Sequence, residues 1–232
     1  MSIVKFSDEI YMRNLIIFLA GITILSSSLF AIEAGETTPA TPDKILGSGR
    51  LSSEEMALFL VTENQYVDYD FAGEFAELYI KEAAAEGVNH DVAFSQMCVE
   101  TNFLNFDKAV TMDTNNFGGI GAAGKERPGE SFSSILLGVR AQIQHLKAYA
   151  TSSPLVQECV DPRYFNVRYG SAPTVYELSG RWSVDTAYGE KLKTAMQDIY
   201  LMAFTTGASG KLITAAPNTF FLPLTQKRLG GL

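Results

Sequence analysis

A single glutamate at the end of an apolar stretch is the residue best suited to chemistry. Glu100 lies in the segment QMCVETNF, which ends an apolar stretch of helix, and a glycine-rich run, NNFGGIG, begins at Asn115. On a helix, Glu100 lies within about 60° of Ala93 and Met97, so its nearest face is apolar. Such a surface favours the protonated form, because a desolvated carboxylate loses much of its hydration energy. A neutral carboxylic acid is what general acid catalysis of glycosidic-bond cleavage requires.

Spacing alone leaves other interpretations of the titratable residues open. A glutamate near a helix C-terminus is commonly solvated or paired with a cation. His90 and His145 are the only histidines, and their spacing from Cys, Asp or Glu indicates no metal site. Cys98 and Cys159 are equally compatible with a disulfide and with two free thiols.

The elements that must position these residues are mostly helices. Periodic apolar residues and end signals predict helices in the segments SSEEMALFLVTEN, DFAGEFAELYIKEAAAEG, VNHDVAFSQMCVETNF, SSILLGVRAQIQHLKAYA, TVYELSG and TAYGEKLKTAMQDIYLMAF. Ser52 with Glu55, and Thr174 with Glu177, have capping-box spacing. In the fourth segment the period predicts that Arg140, Gln144 and Lys147 face outward. The run GGIGAAGKERPG is turn or hairpin material.

The ends of the chain predict an exported protein. Lys5 and Arg13 precede an apolar run from Leu15 to Leu25, a layout typical of a signal peptide. We expect a signal peptide over residues 1–31, or an uncleaved membrane anchor, although the run is short for a spanning helix of about 20 residues. We also expect a linker over 32–50, a catalytic domain over 51–204 and a C-terminal extension over 205–232.

Three separated segments resemble one family when taken together. VNHDVAFSQMCVETNF, NNFGGIGA and RWSVDTAYGEKLKTAMQDIY resemble, in order and spacing, the motifs of bacterial glucosaminidase domains, glycoside hydrolase family 73. The resemblance implies a mainly α, lysozyme-like α+β fold with a small β-hairpin beside the cleft. It also implies hydrolysis of the β-1,4 bond after N-acetylglucosamine in peptidoglycan, without a cofactor.

The same resemblance assigns roles to individual residues. Glu100 falls on the catalytic acid of the family, and a second carboxylate is expected on the hairpin lobe. Glu130 is our choice for it, with Glu126 and Asp113 as alternatives, while assistance by the N-acetyl group of the substrate would make a second acid dispensable. Substrate contacts are expected from the residues that match the cleft motif and the trailing helix, namely Asn116, Phe117, Gly118, Trp182 and Tyr188. Core packing is the alternative for Phe117 and Trp182.

The net charge of the chain limits the kinds of molecule that it is expected to bind. The 232-residue chain has a formal net charge of -8, so it lacks the basic surface that nucleic acid binding needs. The expected partner is the peptidoglycan glycan strand, with membrane contact only if the N-terminal segment stays uncleaved. An acidic protein is not attracted to an anionic wall, which favours periplasmic confinement, or secretion with targeting by another protein. A lytic transglycosylase and a non-catalytic glycan-binding or assembly protein are the competing functions.

Overall fold

The computed structural model describes residues 40–106, 111–123, 127 and 129–209. Within them lie five α-helices: α1 (Ser53–Glu63), α2 (Tyr69–Glu86), α3 (His90–Thr101), α4 (Ile135–Ala150) and α5 (Tyr188–Ser209). Short 3₁₀ turns occur at Met112–Thr114, Tyr164–Asn166 and Tyr176–Leu178. The prediction of a mainly α fold is confirmed.

Local sequence signals set the helix ends. Ser52 and Glu55 form the predicted capping box at the start of α1. Gly87 ends α2 in the left-handed conformation, where a residue without Cβ is favoured. Asn89 caps α3 by accepting a hydrogen bond from the amide of Asp91. Only half of the second predicted capping box forms: Glu177 accepts hydrogen bonds from the amide and hydroxyl of Thr174, but the short 3₁₀ turn there has no side-chain cap.

Helix α3 is the centre of the domain. It packs against α2, α4 and α5, and nine of its residues are buried. Aromatic rings fill the space around it: Phe75 meets Phe117 at a centroid distance of 4.8 Å, and Tyr79 meets Phe94 at 5.6 Å. A helix buried on most sides has little freedom to rotate or slide, so it provides a rigid support for Glu100 at its end.

The packed part of the chain begins before residue 51, within the linker that we predicted over 32–50. Ile45 is fully buried, and its amide donates to Pro173 O while its carbonyl accepts from Asn89 N. Asp91, also buried, accepts hydrogen bonds from the amides of Arg50 and Leu51. The described part of the predicted linker is therefore packed into the fold. At the other end, α5 continues to Ser209, beyond the predicted boundary at 204.

Other predictions from the sequence have mixed outcomes. Gln144 and Lys147 are buried, so the prediction that they face outward is wrong, because α4 is covered on more than one side. Cys98 is buried in α3, Cys159 is exposed, and both thiols are free.

The described residues of 118–130 show no strand ladder, and the hairpin stays a prediction. The predicted signal peptide or anchor over residues 1–31 lies outside the described residues, as does the predicted extension from residue 210 onward. None of the described helices has the length and apolar character needed to cross a membrane.

Candidate active site

Glu100 lies in the last turn of α3, which ends in an unusual left-handed turn. Asn102, Phe103 and Leu104 have φ values of 50°, 54° and 61°. Side chains stabilise this conformation, since Thr101 Oγ1 accepts from Leu104 N at 2.9 Å and Asn64 Nδ2 donates to Phe103 O at 2.8 Å. Backbone of this kind is costly and persists only where surrounding contacts hold it. The helix thus ends at Thr101, one residue after Glu100, and the side chain of Glu100 is partly buried.

Tyr188 holds one oxygen of the Glu100 carboxyl group. Its hydroxyl donates to Glu100 Oε1 over 2.5 Å, a short bond typical of a hydroxyl donating to a carboxylate. Tyr188 is the first residue of α5, and Asp185 fixes the start of that helix by accepting from Ala187 N. Burial, together with the neighbouring Glu100, raises the pKa of Tyr188 well above its usual value. The tyrosine therefore remains a hydrogen-bond donor at any pH where a carboxyl group titrates.

Gly119 lies beside the other oxygen, and Gly118 precedes it in the chain. Gly119 has φ +63°, and a Cβ on it would lie 2.9 Å from Glu100 Oε2. A Cβ on Gly118 would lie 2.9 Å from Gln142 Cγ and 3.1 Å from Trp182 Cζ2. Neither position has room for a side chain. At Gly119, glycine suits both the left-handed conformation and the close approach of backbone to the carboxyl group, whereas at Gly118 it makes room for Gln142 and Trp182.

Asn116 shapes the loop that carries these glycines. Its side chain is fully buried, with Oδ1 accepting from Ile120 N at 2.8 Å and Nδ2 donating to Ile120 O and Glu130 O, both at 3.0 Å. Both the oxygen and the nitrogen of the Asn116 side chain thus form hydrogen bonds within the loop. Phe117 is fully buried against Phe75 and anchors the loop in the core. Direct sugar contact by these two residues stays a prediction.

The candidates for a second carboxylate lie in different surroundings. Glu130 Oε1 pairs with Arg163 Nε at 2.6 Å, and Arg163 also lies against Gly121, where a Cβ would come within 2.5 Å of its Nε. Asp113 is exposed in a 3₁₀ turn. Glu126 lies outside the described residues. Glu130 is therefore fixed at the edge of the glycine loop by a cation that the sequence did not single out.

Trp182 lies beside the glycine pair and is partly buried. Its ring meets that of His145 nearly perpendicularly, with centroids 4.9 Å apart. His145 is itself oriented by Asp161, whose Oδ2 is 2.7 Å from Nδ1. The ring of Trp182 is thus held on one side by packing while its Cζ2 edge borders Gly118. This placement is compatible with both roles expected for Trp182, contact with the substrate and packing in the core.

Three buried polar residues near Glu100 were missed in the sequence. Gln96 Nε2 donates to the hydroxyl of Tyr188 at 3.1 Å, and Gln142 Nε2 donates to Gln96 Oε1 at 2.9 Å. Tyr79 in turn donates to Gln142 Oε1 at 2.6 Å. For the two glutamines, the only signal in the sequence is a polar residue on an otherwise apolar helix face. The same pattern also fits a glutamine that is exposed to solvent. Within the described ranges, no group of three His, Cys, Asp or Glu side chains could hold a metal ion.

Comparisons with known proteins show the family of this domain. A family model named Glucosaminidase, described as mannosyl-glycoprotein endo-beta-N-acetylglucosaminidase, matches residues 76–201, which is more than half of the chain. The match includes Glu100, the glycine loop and Tyr188. A protein of Borreliella burgdorferi strain B31, described as uncharacterized, is 39% identical over 155 residues, covering 67% of this chain and 76% of that protein. No solved structure matches.

Proposed function

We propose that this protein cleaves the β-1,4 bond after N-acetylglucosamine, with Glu100 as the general acid. The chain belongs to the glucosaminidase family of glycoside hydrolases, which act on peptidoglycan. The observation that carries this proposal is the asymmetric setting of the Glu100 carboxyl group. Tyr188 binds Oε1 at 2.5 Å, while Oε2 is directed at Gly119. The two oxygens of the carboxyl group thus have different neighbours, a tyrosine hydroxyl and the backbone of a glycine.

In the proposed reaction, Glu100 protonates the oxygen of the leaving sugar while positive charge develops on the N-acetylglucosamine ring. Such proton transfer contributes about 10²–10⁴ in rate when the acid is positioned within hydrogen-bonding distance. Water then adds to the sugar, and the products are two shorter glycan chains. The chemistry needs only acid, water and positioning, so we assign no cofactor.

Glu130 is the second carboxylate in this proposal. The ion pair with Arg163 fixes it on the same loop as Gly118 and Gly119, where a carboxylate could orient the attacking water. Glu130→Gln should then lower kcat with little effect on binding to peptidoglycan. If that variant turns over at the wild-type rate, the second role falls to another group, with the N-acetyl group of the substrate as the alternative.

The experiment that tests the proposed function is product analysis of digested peptidoglycan. Mass spectrometry should find chains ending in reducing N-acetylglucosamine. Chains ending in anhydromuramic acid would instead identify a lytic transglycosylase. Glu100→Gln serves as the negative control, because it keeps the shape of the side chain and removes the acid. A non-catalytic glycan-binding protein would release no products and would lose nothing on this substitution.

Export is part of the proposal, because the substrate lies outside the cytoplasm. Its support is the order of Lys5, Arg13 and the apolar run that follows them. N-terminal sequencing of the protein from the periplasm or the culture medium should show a start near residue 32. A full-length N-terminus in a membrane fraction would indicate an uncleaved anchor.

A further inference from the structure

A chain of buried hydrogen bonds connects the core to Glu100. Tyr79, Gln142 and Gln96 are fully buried, and Tyr188 is 3% exposed. Their bonds run from Tyr79 to Gln142 (2.6 Å), from Gln142 to Gln96 (2.9 Å), from Gln96 to Tyr188 (3.1 Å) and from Tyr188 to Glu100 (2.5 Å). Helices α2, α4, α3 and α5 each contribute, so the chain links the four helices that surround the site.

One backbone carbonyl sets the direction of every bond in this chain. Gln142 Nε2 donates to Ala93 O at 3.0 Å, and a carbonyl oxygen can only accept. The amide of Gln142 is thereby oriented, and its second N–H points to Gln96 Oε1. Gln96 must then present its own NH₂ group to the oxygen of Tyr188. The hydroxyl proton of Tyr188 is left with one acceptor in the chain, Glu100 Oε1.

From this we propose that Gln142 and Gln96 are positioning residues that confine the acidic proton of Glu100 to Oε2, the oxygen beside Gly119. The inference rests on the proposed function, in which that proton is given to the substrate. A proton on Oε1 would meet the proton of Tyr188 across a 2.5 Å contact, which removes the bond and adds repulsion. This series of hydrogen bonds thus determines which of the two carboxyl oxygens of Glu100 carries the acidic proton.

The chain keeps its direction over a wide pH range. Gln142 and Gln96 do not titrate. Burial raises the pKa of Tyr188 and of Tyr79 well above their usual values, and it also raises the pKa of the Cys98 thiol. The four side chains that precede Glu100 in this hydrogen-bond chain therefore keep one protonation state from acidic to neutral pH.

The test is Gln142→Met in the full-length protein, compared with Gln144→Met. Methionine retains the Cβ and Cγ that contact Gly118 and removes both polar atoms. Gln144 is the matched control because it is a fully buried glutamine on the same helix whose hydrogen bonds go to Glu158 O, Val160 N and Asp161 N. Both substitutions should destabilise the protein to a similar extent.

Only Gln142→Met should change catalysis. Once the direction is lost, Tyr188 can accept from Glu100 as readily as donate, and we expect kcat to fall about tenfold with KM within twofold of wild type. The alkaline limb of the kcat–pH profile should move to higher pH, because the carboxylate loses a polarised donor. Gln144→Met should change neither. Equal effects of the two variants would overturn the inference.

Tyr188→Phe provides a second measurement that removes only one oxygen atom from the core. It should move the alkaline limb in the same direction and farther than Gln142→Met does. An unmoved limb would overturn the inference even if Gln142→Met fails to fold. Glu100→Gln separates this inference from the function on which it rests: if it abolishes turnover while the glutamine variants behave alike, only the positioning role is lost, whereas full turnover without the acid rejects the proposed function.

Discussion

Glu100 and Tyr188 come from distant parts of the chain, yet they share a 2.5 Å hydrogen bond. The contact depends on two local features, the abrupt left-handed end of α3 and the start of α5 at Tyr188. Each of the two carboxyl oxygens then has a different neighbour, a hydroxyl on one side and a glycine on the other. At the scale of single residues, this asymmetry is the basis for proposing Glu100 as a proton donor that acts through one oxygen.

Gly119→Ala tests the close approach of backbone to Glu100. The new Cβ would lie 2.9 Å from Oε2 and would also be strained at φ +63°. We expect kcat to fall by tenfold or more, because the oxygen assigned to proton transfer must move.

Gly87→Ala is the matched control for this substitution. Gly87 has φ +71°, but its added Cβ would meet nothing within 4 Å. Both variants should therefore lose about 1–2 kcal/mol of stability through backbone strain alone, and only Gly119→Ala should lose activity. Steady-state kinetics at matched temperature separates the two effects, and equal activity in both variants would contradict the assigned position of Oε2.

The helices were well predicted from the sequence because their signals are local. Capping by Ser52, Asn89 and Gly87 operates within one turn, and each is visible in a few residues. Burial of polar residues is not local. Gln144 was predicted to face outward and Gln142 was not singled out, yet both are fully buried and bond to residues in other segments of the chain. The buried hydrogen-bond partners Gln96 and Gln142 were missed for the same reason, whereas the apolar face and the family motifs singled out Glu100 as the candidate acid.

Between α2 and α4, a buried ion pair holds two elements that carry the site. Lys147 Nζ lies 2.8 Å from Glu86 Oε2, and Glu86 also accepts from the amides of Val156 and Gln157. Lys147→Met would leave that carboxylate buried without its cation, which costs about 3–5 kcal/mol in comparable cases. Chemical denaturation should show a loss of this size.

The control for this prediction is Lys191→Met. Lys191 pairs with Asp185 at the surface, with more than half of its side chain exposed, and solvent screens such pairs. Its removal should leave the free energy of unfolding near that of wild type. If both variants lose the same amount, the pair between α2 and α4 is not the buried link that the structure shows.

At the scale of the whole molecule, the segment before α1 completes the domain. It bridges the loop before α3 and the loop before α5, through the bonds of Ile45 to Asn89 and Pro173. Lys193 Nζ adds a bond to Asp43 Oδ1 at 2.6 Å. The two helices that supply Glu100 and Tyr188 are therefore joined by a stretch of chain that composition alone indicated as linker.

Ile45→Ala tests this role of the segment. The side chain is fully buried, and truncating a buried isoleucine costs about 2–5 kcal/mol. Leu46→Ala, at the adjacent and 36% exposed position, should cost about 1 kcal/mol or less. Thermal unfolding of the two variants provides the comparison, and a similar melting temperature for both would show that the segment is not part of the core.

The most direct test of the account concerns the proton of Glu100. Turnover by Glu100→Gln should be compared on two substrates, peptidoglycan and a nitrophenyl glycoside of a chito-oligosaccharide, with the exposed Glu190→Gln as control. Because nitrophenolate leaves without protonation, we predict that Glu100→Gln loses about 10²–10⁴ in kcat on peptidoglycan and far less on the aryl glycoside. Equal losses on both substrates, or full turnover of peptidoglycan without the acid, would contradict the assignment of Glu100 as the general acid.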